Sequence, residues 1–299
     1  MEEKYINIVR LRPRHAAGFQ PGDQICVEEK IDGANLSLFY DENRDQLRAF
    51  GRKTELDEKN NLRGAWEWVQ KLDKEKVKSV LGSRYLLFGE WLVKHAVPYP
   101  EERYHQMYCF DAMDLETGKY LPQEQVMEMV EKLGLTYVPV FYQGPFQNWE
   151  QIEAMVGKTA LGGEYGEGVV VKNMSRLNDP NEKLPFYTKI VGENFAEKKR
   201  ITRTHVGDVS AGAKRQELAD SIVVVARVRK LILKLVDEKE LSENWKEVET
   251  EETLARKLTR GVYYDCVKEE PEIVKQIGKQ FGKYAAAATR NCVHEIMSE

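Results

Sequence analysis

Cysteine and histidine are scarce in this chain, with 4 and 5 among 299 residues. Cys26, Cys109, Cys266 and Cys292 form no C-x-x-C pair. A disulfide scaffold and a zinc site of ordinary spacing are thereby excluded, and a reducing, cytoplasmic location is expected. Long apolar runs are missing too. The longest, residues 222–226, falls far short of the roughly 20 residues a membrane helix needs, so no membrane partner is expected. The acidic start, Met1-Glu2-Glu3-Lys4-Tyr5, lacks the basic and apolar regions of a secretory signal, and none is expected. No charge of one sign dominates. The net charge of −4 excludes a bulk-basic nucleic-acid binder but leaves room for a local basic groove. Internal repeats and low-complexity tracts are absent.

Core material is present. Hydrophobic residues make 42% of the chain and charged residues 31%, a globular composition with enough length for one large domain or two ordinary ones. Short strands are expected at 24–29, 36–40, 85–88, 107–110 and 169–171, the last being the most β-prone run. Helical spacing of Leu62, Trp66, Val69, Leu72, Val77 and Val80 predicts a helix over 57–81. Another is expected at 124–133, closed by Gly134, and a loop at 162–166. After about residue 204 only helical patterns remain, at 213–235, 250–268 and 271–297. The expected architecture is therefore α+β: a body over 1–203 and a small all-helical domain over 204–299. The segment from His205 onward carries 16 basic and 17 acidic residues, so neither half is basic overall. Lys189, Lys198, Lys199, Arg200 and Arg203 nevertheless cluster at the boundary. Such a run is a solvated surface or a phosphate-contacting hinge.

Several short constellations carry chemistry. In Glu28-Glu29-Lys30-Ile31-Asp32-Gly33-Ala34-Asn35, a strand-end lysine precedes an Asp-Gly turn. Such a lysine becomes a nucleophile once it loses a proton, which burial or neighbouring cations promote. Asp32 can hold a metal near the attacked phosphate, and Gly33 permits close backbone approach. Alone, K-x-D-G arises in roughly one chain of this length in fifteen, and an ordinary surface hairpin explains it equally well. Phe50-Gly51-Arg52, Phe88-Gly89-Glu90-Trp91 and Tyr108-Cys109-Phe110-Asp111 each read as turn or core on their own. In Glu167-Gly168-Val169-Val170-Val171-Lys172, alternation puts Gly168, Val170 and Lys172 on one face, a surface suited to a base and its phosphate. Phe186-Tyr187-Thr188-Lys189-Ile190 adds a last lysine on a β-prone run.

Together and in this order, the constellations resemble the ATP-dependent RNA ligases of the RNA ligase 2 type, within the superfamily of ligases and mRNA capping enzymes. The resemblance covers residues 25 to 200 and extends more weakly over the helical tail. It implies an antiparallel-sheet nucleotidyltransferase domain followed by a small all-helical C-terminal domain. It also implies that Lys30 attacks the α-phosphate of ATP and forms lysyl–AMP. Glu29 and Asn35 would serve the nucleotide and the metal-bound phosphate, and Arg52 the nucleotide or RNA phosphate. Phe110 would stack on adenine, with Val170 on the other face. Glu90 would touch the ribose or a metal-bound water. Asp32 and Glu167 would hold hydrated Mg²⁺ or Mn²⁺, Lys172 and Lys189 would neutralise phosphate, and Asp111 occupies an acidic position the family also uses. The implied partner is RNA, nicked or broken, and the implied enzyme a monomer acting in RNA repair. The family's last motif commonly reads K-x-K, and here Tyr187 stands at its first place, leaving the clamp to Lys189 or a borrowed Lys183 or Lys198. The related alternatives, an ATP-dependent DNA ligase and an mRNA guanylyltransferase, usually carry an OB-fold barrel, of which residues 205–299 give no strand signal.

Overall fold

A computed structural model describes residues 5–179, 185–192, 195 and 211–299 of the chain. The fold divides into two compact units, Met1–Glu193 and Asn194–Glu299. The boundary expected near 204, with Lys198, Lys199, Arg200 and Arg203, and Lys183 upstream of it, lies outside the described residues.

The first unit holds two sheets. Its strands are β1 (Val9–Arg10), β2 (Gln24–Lys30), β3 (Ala34–Asp41), β4 (Gln46–Phe50), β5 (Tyr85–Trp91), β6 (Met107–Asp114), β7 (Lys119–Tyr120), β8 (Thr136–Tyr137), β9 (Val140–Pro145), β10 (Gly168–Asn173) and β11 (Tyr187–Val191). Its helices are α1 (Pro13–Ala16), α2 (Ala65–Gln70), α3 (Lys74–Leu81), α4 (Gln123–Leu133) and α5 (Trp149–Glu153). One sheet runs β1-β11-β10-β2-β9, the other β4-β3-β5-β6-β7, with β8 added in parallel beside β6. Pairing is otherwise antiparallel, except for β1 with β11.

Period-two alternation gives the first sheet two unlike faces. Ile25, Val27, Val169 and Val171 pack with Phe19, Phe146 and Ile152 on one side. The opposite side collects Glu28 and Lys30 of β2, Gly168, Val170 and Lys172 of β10, and Tyr187 and Lys189 of β11, in register Lys30↔Gly168, Glu28↔Val170↔Lys189 and Lys172↔Tyr187. The second sheet buries Leu36, Leu38, Leu87 and Cys109 beneath Val77 and Leu81 of α3 and Val126, Val130 and Leu133 of α4. A smaller cluster of Leu86, Phe88, Met113 and Tyr120, with Phe110 against it, forms separately. The polar face of the first sheet therefore meets the second sheet through side-chain contacts.

The helix expected over 57–81 is shorter and broken. Residues 57–64 form a loop in which Leu62, Arg63 and Gly64 all have positive φ, at 48°, 50° and 91°. Helix starts only at Ala65, stops at Gln70, and restarts at Lys74 after the Asp73 side chain caps the Lys76 N–H. The apolar spacing was genuine, but its first member, Leu62, packs from a loop. Gly134 closes α4 in the left-handed conformation, as expected.

The second unit is helical: α6 (Ala211–Ile222), α7 (Val225–Asp237), α8 (Trp245–Val248), α9 (Glu251–Glu269), α10 (Pro271–Ile277) and α11 (Phe281–Ser298). Two expected helices are split. Val224 turns extended between α6 and α7, and Gly278, at φ 78°, ends α10 before α11. Ile222, Val228, Leu258, Val262, Phe281 and Val293 are in its core. Among the described residues no helix is long and apolar enough to cross a membrane, and all four cysteines are buried free thiols.

Candidate active site

Lys30 ends β2 on its polar face, half-buried, and its ammonium pairs with Glu167, which is only 5% exposed. The antiparallel register makes this contact, because Lys30 lies opposite Gly168 and Glu167 directly precedes it. Gly168 has to be glycine, since a Cβ there would sit 2.1 Å from the Ile190 carbonyl oxygen. The chain then turns at Asp32-Gly33 into β3. The Gly33 N–H donates to Glu90 Oε1 at 3.1 Å, and a Cβ at Gly33 would meet the Trp91 carbonyl at 2.5 Å. Asn35 lies opposite Glu90 across β3 and β5.

Burial pushes the Glu90 carboxyl up to about 7. The Lys30 charge opposes that rise, while Glu167 and Asp32 add to it. Glu90 therefore senses Lys30, Glu167 and Asp32 together. Among the described residues no three His, Cys, Asp or Glu side chains converge as a ready-made metal cage. Separate carboxylates around one lysine instead suit a hydrated Mg²⁺ or Mn²⁺, which keeps waters and takes only one or two carboxylates besides phosphate oxygens.

Asp32 is engaged by the loop that follows β5. Its Oδ2 accepts the N–H groups of Ala96 and Val97 at 2.8 and 2.9 Å, and its Oδ1 faces His95 Nδ1 at 3.5 Å. Burial would raise this carboxyl, but the His95 hydrogen bond, the Lys30 charge and the Val97 N–H bring it below its ordinary value. Glu29, expected at the nucleotide, sits on the opposite face of β2 from Lys30. There its Oε2 accepts the Ala160 N–H at 2.8 Å, and burial raises its carboxyl against the bonds from Thr159 and Ala160.

Phe110 owes its position to a β-bulge. Phe88 pairs with Asp111 and Gly89 with Cys109, so Phe110 is the extra residue on β6. A bulge re-aims a side chain and often lies beside an active site. Phe110 and Val170 are both half-buried. Lys172 links them, being two residues from Val170 on the same face, with its ammonium 2.6 Å from the Phe110 carbonyl and 5.9 Å from that ring's centre.

Lys172 itself is 1% exposed. It pairs with Glu28 at 2.8 Å and Asp111 at 3.1 Å, while Tyr137 and Gln123 bond to Glu28, and Tyr5 and Tyr187 to Asp111. Burial disfavours its charge, but the two carboxylates hold the Lys172 ammonium above its ordinary value. One lysine cannot neutralise both. Burial outweighs Lys172 at Asp111 and lifts that carboxyl to about 6, with the Glu28 charge adding to the rise. Lys189 is half-buried on β11, level with Val170. Arg52 is exposed, and its guanidinium donates to Asn7 at 2.9 Å.

The structure thus brings Lys30, Asp32, Glu90 and Glu167 together, and separately Phe110, Asp111, Val170 and Lys172. Sequence reasoning passed over Glu28, a partner of the buried lysine, Tyr5, Gln123 and Tyr137, which bond the carboxylates that pair with it, and Arg63, His95 and Tyr99, the partners of the Asp32 turn. Only Glu28 left a signal. It stands two residues before Lys30, so alternation sets it on the same face.

The first unit thus carries two sheets, a polar face and a strand-end lysine. The RNA ligase family signature matches residues 23–191, more than half of the 299, and the chain belongs to that family. Solved structures of an RNA ligase from Naegleria gruberi are similar to this chain. A form with ATP and Mn is 20% identical with a TM-score of 0.48, over 66% of this chain and 57% of that one. A form with AMP and Mn is 21% identical with a TM-score of 0.47, over 64% and 56%. The chain therefore matches little more than half the length of those relatives. No curated protein matches the chain.

Proposed function

We propose that the chain is an ATP-dependent RNA ligase that joins a 3′-OH to a 5′-phosphate end in three nucleotidyl-transfer steps. The Lys30 amine, freed of a proton, attacks the α-phosphate of ATP, forming a phosphoramidate and expelling pyrophosphate. AMP then passes to an RNA 5′-phosphate, and attack by the 3′-OH releases it. The observation that carries the reading is the Lys30–Glu167 pair beside half-buried Glu90 at the end of a polar sheet face. Each step is an in-line displacement at phosphorus, so the protein chiefly positions groups and balances charge. A bound Mg²⁺ or Mn²⁺ would neutralise developing phosphate charge. Glu90 and Glu167 would hold its waters, with Asp32 securing the turn.

In this reading Phe110 and Val170 flank adenine, Asn35 lies beside Glu90, Lys189 meets phosphate, and Arg52 reaches the nucleotide or RNA. Lys172 and Asp111 form the charged floor, and Glu29 steadies the loop at 159–161. The work is that of a monomer on broken RNA, as in RNA repair. The test is transfer of label from α-labelled ATP with Mg²⁺. Wild type takes label. Lys30→Ala takes none, and neither does Lys30→Arg, because a guanidinium stays protonated. Labelling of Lys30→Ala at the wild-type rate would refute the reading. Equal labelling by GTP would point to capping chemistry, and indifference to DNA on the 3′-OH side of a nick would point to DNA ligation.

A further inference from the structure

We propose that Arg63 and His95 are positioning residues for lysine adenylylation, which fix the carboxylate of Asp32 and so the turn that presents Lys30. The inference rests on the reading of Lys30 as nucleophile. It starts from backbone strain. Leu62 and Arg63 are non-glycine residues with φ of 48° and 50°, followed by Gly64 at 91°. Such conformations persist only where surrounding contacts enforce them, and they gather at functional sites.

The contacts here are specific. Leu62 is buried to 3% exposure. The Arg63 carbonyl accepts from Trp91 Nε1 at 3.4 Å. The guanidinium donates through Nη1 to the Lys94 carbonyl at 3.2 Å and lies with Nη2 2.7 Å from His95 Nε2. A guanidinium can only donate, so Nε2 must present its lone pair. The ring proton is then on Nδ1, the nitrogen that faces Asp32 Oδ1 at 3.5 Å. Arg63 thereby selects the tautomer of His95, and His95 gives a donor to Asp32.

Asp32 is the hub of the turn. Besides His95, it takes the Ala96 and Val97 N–H groups, and its own N–H donates to the Tyr99 hydroxyl at 3.1 Å. The next N–H, from Gly33, goes to Glu90. The 93–99 loop therefore grips the residues that follow Lys30 from one side, while β10 fixes Lys30 itself from the other. If Arg63 is lost, the ring can take either tautomer. With the proton on Nε2, a lone pair meets the Asp32 carboxylate, and the turn is pushed out of line. Misplacement by about 1 Å costs on the order of a hundredfold in a positioned reaction.

The test combines rates with a ring signature. In single-turnover labelling with α-labelled ATP and Mg²⁺, Arg63→Met and His95→Gln should slow lysyl–AMP formation by roughly 10- to 100-fold. The ATP concentration giving half-maximal rate should stay near the wild-type value, because neither side chain meets the nucleotide. His95→Asn, whose amide can replace Nδ1–H toward Asp32, should recover most of the rate. His95→Gln, whose amide sits at the Nε2 place, should not. Both His95 variants leave the strained 62–64 segment intact, so they stand even if Arg63→Met fails to fold. In ¹⁵N-histidine spectra of the full chain, the signal lost in His95→Asn should be the Nδ1–H tautomer. An Nε2–H ring in the wild type, or wild-type labelling by His95→Gln, overturns the proposal. If wild type takes no label, the ligase reading falls instead, and the ring tautomer still decides whether Arg63 sets His95.

Discussion

Lys172 changes its meaning between sequence and structure. At the end of a β-prone run it looks like a cation waiting for phosphate, yet its ammonium is enclosed by Glu28, Asp111 and the Phe110 carbonyl. Tyr187 explains part of the enclosure. Across the β10–β11 pair its ring lies 5.4 Å from the Lys172 ammonium, so a second lysine there would set two buried cations together. Asp111 makes the stability of this network depend on pH. Its carboxyl titrates near 6 when folded and at about 3.9 when unfolded. Between those values the folded chain holds a proton the unfolded chain has lost, so stability falls as pH rises from 4 to 6. Urea midpoints at pH 4 and pH 6 should show this slope in wild type and a shallower one in Asp111→Asn. Equal slopes would mean that Asp111 titrates normally. At this scale, the sequence disclosed the charged residues at strand ends but not their long-range partners. Tyr5 lies 106 positions from Asp111, and Tyr137 lies 109 from Glu28, beyond the reach of any local pattern.

Elements were legible where one period held throughout. β2, β3, β6, β10, α4 and α9 run within a few residues of their expected bounds, because each carries a strong β-prone run or unbroken helical spacing. The failures share one cause, a backbone break under a continuing apolar pattern, as at Leu62–Gly64, Val224 and Gly278. Short pieces such as β8 and β9 depend on pairing with distant strands and carry little pattern of their own. The element that matters most to the site is β10, whose register sets Glu167 against Lys30. Gly168→Ala should force β11 away from β10, since the new methyl would meet the Ile190 carbonyl at 2.1 Å. A stability loss of about 1–3 kcal/mol is expected, as for other overpacking changes, together with a drop in labelling by ATP as Lys189 leaves its place beside Val170. Unchanged urea midpoint and labelling would show that this register does not set the site.

Across the whole molecule, chemistry and folding divide differently. Every residue assigned to the lysine, the base and the metal lies before position 190, within the first unit, whose sheets and α2–α4 bury their own clusters. The second unit has its own core around Ile222, Val262 and Phe281, with buried Arg227 held by Asp265 and by Glu270 at 3.9 Å. Ile222 is fully buried in that core. A chain ending at Arg203 should therefore stay folded and soluble, and should still take label from ATP. We propose that the helical unit serves RNA. Ordering two RNA ends is an entropic task, and its loss weakens the steps that bring RNA to the enzyme far more than the ATP step. The shortened chain should thus join nicked RNA poorly, by roughly 100-fold or more, while adenylylation stays within a few-fold of the full chain. RNA affinity of the full chain should fall with added salt, because phosphate contacts release counterions, and the shortened chain should lose part of that slope. Sealing by the soluble shortened chain at the full-length rate would remove RNA from the role of the helical unit.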